Sequence, residues 1–270
     1  MTQENSKIPM PENPENLLDL FKSFYELVWI LRQECPWDKE QTNESIAQLT
    51  IEEAYEAVDA IYKKDDEDFA GELGDLLLHI VMHSIMAEQR GAFDMREVIK
   101  KIHAKMVTRH PHVFGDVQVS GQEDVLNNWE MIKKTEKKEG SSTLDGVPEN
   151  LPALLRAERI QHKASRVGFD WERKEDMWEK VEEEFTELKD EIKSGNHERI
   201  REEYGDFLFS LVNAARYEDI VPEEALQLTN MKFTSRFKHI EARAEELGKP
   251  LKEMTLEQMD KYWDEAKAKE

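Results

Sequence analysis

Residues 181–206, VEEEFTELKDEIKSGNHERIREEYGD, decide how the chain is read. Two helix-forming runs flank a turn at Gly195. Glu183, Glu184 and Glu187 fall on the first run, Glu203 and Asp206 on the second. Subtracting 131 from each position gives Glu52, Glu53, Glu56, Glu72 and Asp75, so the pattern occurs twice with the same 16-residue step between its halves. Repetition at fixed spacing means two copies of one helical unit rather than one fold of full length.

Working outward, the same elements recur around each copy. Leu17 to Glu34 has apolar residues at helical spacing, and Cys35-Pro36-Trp37-Asp38 reads as a loop. Helices are predicted from about Glu44 to Lys63, through about Gln89, and from an Asp94 cap to near Arg109, before the His110-Pro111 break. Ser120 and Glu123 form a capping-box pattern for a helix that includes Trp129. After the Gly-, Ser- and Pro-bearing stretch 139–152 the order restarts. A helix from Ala153 to about Arg166 leads to the loop Val167–Trp171, then to the acidic pair, a helix opened by Pro222, and a last one capped by Thr255 and Gln258. KMVTR (105–109) matches KFTSR (232–236), and Asn128-Trp129-Glu130 resembles Tyr262-Trp263-Asp264. No segment reads as a strand. The expected architecture is all-α: a disordered tail over 1–16, a first helical repeat over 17–138, a linker over 139–152 and a second repeat over 153–270.

Composition limits the partners. The net charge is −22 over 270 residues, and a surface of that sign repels phosphate backbones, so nucleic-acid binding is not expected. A phosphorylated ligand would need metal ions or locally placed Lys and Arg. Cys35 is the one cysteine, which leaves no intramolecular disulfide and fits a reducing, cytoplasmic setting. No apolar run approaches the roughly 20 residues of a membrane span, and the N-terminal stretch lacks the apolar centre of a signal peptide.

The acidic helices carry the chemistry. Residues three or four apart share a helix face, so Glu53 with Glu56, Glu72 with Asp75, Glu184 with Glu187 and Glu203 with Asp206 each point one way. Two antiparallel helices would gather four carboxylates whose mutual repulsion a divalent cation relieves. All-oxygen ligands suit a hard ion, Mg²⁺ first and Mn²⁺ second. One Glu-Glu-x-x-Glu run in an acidic protein is ordinary surface; its recurrence beside the apolar stripe is not. The copies differ in their cations: Lys180, Arg199 and Arg201 stand where the first repeat has Leu49, Asp68 and Ala70, favouring a polyphosphate in the second. Lys232 with Arg236, and more weakly Lys105 with Arg109, share faces that could grip phosphates, and Trp263 could stack a base or anchor the last helix. His79 and His83 lack a third zinc ligand, and no Gly-rich phosphate loop or serine elbow is present.

LRQECPWDKEQT (31–42), IEEAYEAVDAI (51–61), GELGDLLLHIV (71–81), RHPHVFGD (109–116), LDGVPENLPAL (144–154) and VGFDW (167–171) together resemble the MazG family of nucleoside triphosphate pyrophosphohydrolases. The resemblance implies an all-α fold, dimerisation, Mg²⁺ dependence and cleavage of NTPs or dNTPs to monophosphate and pyrophosphate. It implies metal ligands at Glu184, Glu187, Glu203 and Asp206, with Glu53, Glu56, Glu72 and Asp75 as first-repeat counterparts, and a working site in the second repeat. The second repeat departs from the first by carrying VGFDW in place of the Cys-Pro-Trp-Asp loop.

The expected mechanism has a carboxylate, Glu183 or Glu184, orienting water toward the α-phosphorus, while Lys232 and Arg236 hold the departing pyrophosphate. Two rival readings stand beside it: a narrower dUTP, dCTP or phosphoribosyl-nucleotide pyrophosphatase, and a non-enzymatic acidic scaffold.

Overall fold

The computed structural model describes residues 8–135 and 142–269, and every regular element among them is helical. The chain divides into two compact units, Met1–Lys137 and Lys138–Glu270.

The first unit contains α1 (Leu17–Glu34), α2 (Pro36–Glu40), α3 (Ala47–Lys63), α4 (Asp66–Gln89), α5 (Met95–Arg109), α6 (Pro111–Phe114) and α7 (Gln122–Thr135). Local chemistry sets the ends. The Asn16, Asp65 and Asp94 side chains accept from the first-turn amides of α1, α4 and α5, satisfying donors that a helix leaves open. α3 ends on Lys64 in the left-handed region (φ 57), and Asp65 at once caps α4, so the two helices turn back on one another. Val28 from α1, Ile46, and Val81, Met82, Ile85 and Met86 from α4 form the core. α4 is also long and apolar enough by composition to match a membrane span, although no uninterrupted apolar run of that length marks it. Its buried residues pack in the unit's core, and its N-terminal half carries Glu72 and Asp75.

Three expectations for this unit concern the Cys35–Asp38 loop, the N-terminal tail and the start of α7. Pro36–Glu40 is a short helix rather than a loop, because proline at the first helical position has its φ already set. The buried Arg32 guanidinium holds that segment, donating from Nη1 to the Asp38 and Gln41 carbonyls and from Nη2 to Gln89 Oε1. Within the stretch expected as tail, the Pro9 carbonyl accepts from Ser23 Oγ at 2.6 Å; residues 1–7 lie outside the described residues. At α7, Ser120 Oγ donates to Asp124 at 2.5 Å, and the side chain of Glu123, its expected capping-box partner, lies outside the described residues.

The second unit repeats the plan with α8 (Ala153–Ser165), α9 (Lys174–Ser194), α10 (His197–Tyr217), α11 (Pro222–Glu246), a 3-10 turn at Leu251–Glu253 and α12 (Leu256–Lys267). Gly195 ends α9 at φ 75, and Asn196 caps α10 on the next residue. The α9–α10 hairpin therefore matches the α3–α4 hairpin. Thr255 and Gln258 form a reciprocal capping box at α12. Of the stretch expected as linker, residues 139–141 lie outside the described residues, and Lys163 Nζ donates to the Asp145 carbonyl at 2.7 Å.

Candidate active site

Each hairpin gathers three carboxylates. Glu53, Glu56 and Glu72 can each present an oxygen within 4.8 Å of the others, as can Glu184, Glu187 and Glu203. The ligand type, number and mutual distance fit a hard divalent cation. Two further observations agree. Glu72 Oε2 is buried and has no hydrogen-bond partner among the described residues. Burial and then the neighbouring carboxylates push the Glu72 and Glu203 carboxyls above the usual carboxylate range, Glu56 leading for the first and Glu187 for the second. Asp75 and Asp206 stand outside these triplets but act electrostatically on Glu72 and Glu203 respectively.

The copies part company around these triplets. In the first unit, Thr50 Oγ1 contacts His79 Nδ1 at 2.9 Å and His83 Nε2 at 3.0 Å, while Asn43 Nδ2 reaches His83 Nδ1 at 2.8 Å. His79 Nε2 faces Glu53 Oε1 at 3.8 Å. Burial, then His79, lowers the His83 pKa. With these partners the histidines form a polar network beside the core. At the 131-residue offset the second unit has Val181, Ser210 and Ala214 in place of Thr50, His79 and His83.

In the second unit the corresponding space is open. A cavity of about 590 Å³ is bordered by Lys180, Glu184 and Asp206 together with apolar and aromatic side chains, among them Phe169, Trp171 and Phe209. Glu184 is 7% exposed and lies 2.7 Å from Lys180 Nζ, which also contacts Glu183 at 2.9 Å. The Glu184 and then the Glu183 hydrogen bond raise the Lys180 pKa well above the usual lysine value. The Val167–Trp171 loop is pinned through Asp170. Its Oδ1 accepts from Arg216 Nη2 at 2.5 Å, from Tyr217 Oη at 2.8 Å and from the Trp171 amide at 2.9 Å. Burial alone would raise the Asp170 pKa; the Arg216 and Tyr217 hydrogen bonds outweigh it and hold the carboxyl below the usual range. Phe169 at the loop tip is 83% exposed while also lining the cavity.

The offset shows how the two units differ here. Asn213 and Arg216 border the cavity, and their counterparts Met82 and Ile85 fill the first unit's core. Sequence reasoning missed Gln161, Asp170, Asn213 and Arg216, although two apolar positions turned polar between otherwise similar helices were a usable signal.

The remaining expected residues do not line the cavity. Arg199 Nη1 lies 3.7 Å from Glu191, and Arg201 is exposed on α10. Lys232 is exposed on α11, and Arg236 stacks over Trp263 at 5.2 Å, with Phe233 5.2 Å from the same indole. In the first unit Arg109 lies over Trp129 at 5.8 Å, and Lys105 is exposed on α5.

Fold and clusters define a duplicated helical protein in which each acidic helix hairpin presents a cation-type donor set. A family model described as the MazG nucleotide pyrophosphohydrolase domain matches residues 41–114 and again 172–241, covering both hairpins. The nucleoside triphosphate pyrophosphohydrolase/pyrophosphatase MazG of Thermotoga maritima is 43% identical over 250 residues, 90% of this chain and 95% of its own. The nucleoside triphosphate pyrophosphohydrolase of Escherichia coli K12 is 42% identical over 240 residues, 87% of this chain and 91% of its own. YabN of Bacillus subtilis, an uncharacterized protein, is 49% identical over 97% of this chain, which spans 55% of its length. The chain belongs to the MazG family.

Proposed function

We propose that the second unit hydrolyses nucleoside triphosphates, NTP or dNTP, to the monophosphate and pyrophosphate, and thereby clears nucleotide pools. The observation that carries this reading is one cavity joining Glu184, Asp206 and Lys180 to an apolar, aromatic wall. A nucleotide has those two halves: a polyphosphate that needs cations, and a base that prefers a flat apolar slot. Both MazG-family matches and the names of the two long relatives support it.

Glu184, Glu187, Glu203 and Asp206 would hold Mg²⁺, with Mn²⁺ as substitute; once bound, the ion supplies charge neutralisation and Lewis acidity at the phosphate oxygens. Glu183 or Glu184 orients a water and takes its proton as the water oxygen bonds to the α-phosphorus. The bond from that phosphorus to the bridging oxygen breaks, and pyrophosphate departs with the bonding pair. Lys180 borders the cavity beside the carboxylates and is the cation placed to meet phosphate. Arg199, Arg201, Lys232, Arg236 and Trp263 stand outside the lining and would act on parts of the substrate beyond it. Glu53, Glu56, Glu72 and Asp75 would hold a second cation in a unit where buried Met82 and Ile85 stand in place of Asn213 and Arg216, which favours a structural role.

We also infer a homodimer. Ile51, Tyr55 and Val58 on α3 with Leu73, Leu77 and Ile80 on α4 are exposed apolar residues, as are Phe185 and Ile192 on α9 and Tyr204 and Leu208 on α10. Such faces mark interfaces in helical proteins. The single free thiol, Cys35, supports a reducing, cytoplasmic setting.

The direct test measures pyrophosphate and monophosphate from each NTP and dNTP, with Mg²⁺, with Mn²⁺ and with chelator. Metal-dependent release of both products is expected. Release of orthophosphate instead, or no turnover with any substrate, sinks the reading.

A further inference from the structure

Gln161 on α8 is 8% exposed and borders the cavity. Its Nε2 donates to the Phe209 carbonyl at 2.8 Å. A carbonyl oxygen only accepts, so this contact fixes which end of the amide is nitrogen. The other end, Oε1, is buried and accepts no hydrogen bond from any described residue. An unmet buried acceptor is costly to hold, and a ligand that supplies the donor removes that cost.

The same logic orients Asn213. Arg216 Nε donates to Asn213 Oδ1 at 3.0 Å, and because arginine has donors only, the Nδ2 end of Asn213 is left as a donor at the cavity wall. Arg216 itself is tied to Asp170. Two residues of the cavity lining thus carry amides whose orientation is set by contacts, Gln161 to the Phe209 carbonyl and Asn213 to Arg216.

We propose that Gln161 is a specificity-determining residue of the second unit: its Oε1 accepts a hydrogen bond from an N–H on the edge of the substrate's nucleobase, with Asn213 Nδ2 donating to an adjacent ring nitrogen or carbonyl. The inference rests on the reading of this unit as a nucleoside triphosphate site. Every common base offers such an N–H beside an acceptor, so the pair demands a base with an intact hydrogen-bonding edge. A base lacking the N–H leaves Oε1 buried and unmet in the complex as well. That mismatch rejects substrates more strongly than a missing methylene does.

The test compares kcat/KM of each natural triphosphate with that of an analogue lacking the edge N–H. ATP and GTP are set against purine riboside triphosphate, CTP against the pyrimidin-2-one riboside triphosphate, and UTP against its 3-methyl derivative. A base-free ribose triphosphate serves as the reference. In the native protein the preferred natural substrate should exceed its analogue by about tenfold or more. In Gln161→Met, which keeps the side-chain volume, that ratio should fall to within about twofold, with base-free turnover unchanged. The proposal is overturned if no native pair separates by tenfold, or if the variant slows base-free and natural substrates alike, which marks Gln161 as structural. Should no triphosphate release pyrophosphate, the reading of the reaction fails on its own. Binding of the same nucleotide pairs to native protein, followed by Trp171 fluorescence against a Trp171→Phe control, then decides: preference for the N–H-bearing member supports the role of Gln161 and equal binding ends it.

Discussion

Lys180 Nζ lies 2.7 Å from the Glu184 carboxylate and 2.9 Å from that of Glu183. Glu184 is buried, so its charge needs a partner, and a lysine one turn earlier on α9 supplies it. First-unit Glu53 has Leu49 at that place and meets His79 instead. On the proposed reading, Lys180 would compete with a metal for Glu184 and also meet phosphate.

Lys180→Met therefore should have opposite effects on two ligands. Removing the neighbouring positive charge should tighten divalent-cation binding by roughly tenfold. The KM for triphosphate should rise by about tenfold or more, since a charge-assisted contact is lost. Calorimetry with Mn²⁺ and steady-state kinetics check both; a fall in metal affinity would contradict the competition.

Glu184→Gln and Asp206→Asn should each lower kcat by at least ~100-fold, because both residues border the cavity and belong with the second cluster. Glu53→Gln and Asp75→Asn should leave kcat within about threefold if the first unit is structural, the magnitude expected away from reacting atoms. Equal losses from both pairs, with helix content retained, would show two working sites.

Ile85 is fully buried where the second unit has Arg216. Ile85→Ala should destabilise the first unit by about 2–5 kcal/mol. Ile85→Arg should be worse, because a guanidinium there would meet a packed apolar core instead of a carboxylate. Chemical denaturation followed by circular dichroism reads both.

Asp170 has its carboxyl held below the usual range, and the sign follows from that direction. A depressed folded-state pKa stabilises above the unfolded value of about 3.9, and the contribution disappears as pH falls through the lower folded value. Native protein should therefore melt above Asp170→Asn near pH 7, by the few degrees that ~1–3 kcal/mol represents. The gap should begin to narrow near the unfolded value of about 3.9 and go on narrowing as the pH falls further. A gap that stays constant or widens on acidification would refute the assignment.

Much of the fold was legible because its determinants are local. Asn16, Asp65, Asp94, Asn196 and Thr255 cap helices through contacts two or three residues away, and Gly195 ends α9 by its own backbone freedom. The carboxylate triplets were legible because helical spacing and a short hairpin fix them. The cavity was not. Gln161 meets Phe209 across 48 residues and Asp170 meets Arg216 across 46, and nothing in either segment alone shows the pairing. Trp263 illustrates the converse: its helix was readable, but its neighbours Phe233 and Arg236 on α11 depend on how two helices pack.

The packed core of the first unit also bears on heating. One half of the chain uses Met82 and Ile85 as filler where the other leaves apolar walls facing an opening, so the two halves should not share a melting temperature. Calorimetry should show an early transition that nucleotide and metal raise, followed by a later one that they leave in place. Loss of catalysis on warming would then precede loss of half the helix signal, with the first repeat surviving as a folded remnant of an enzyme already silent.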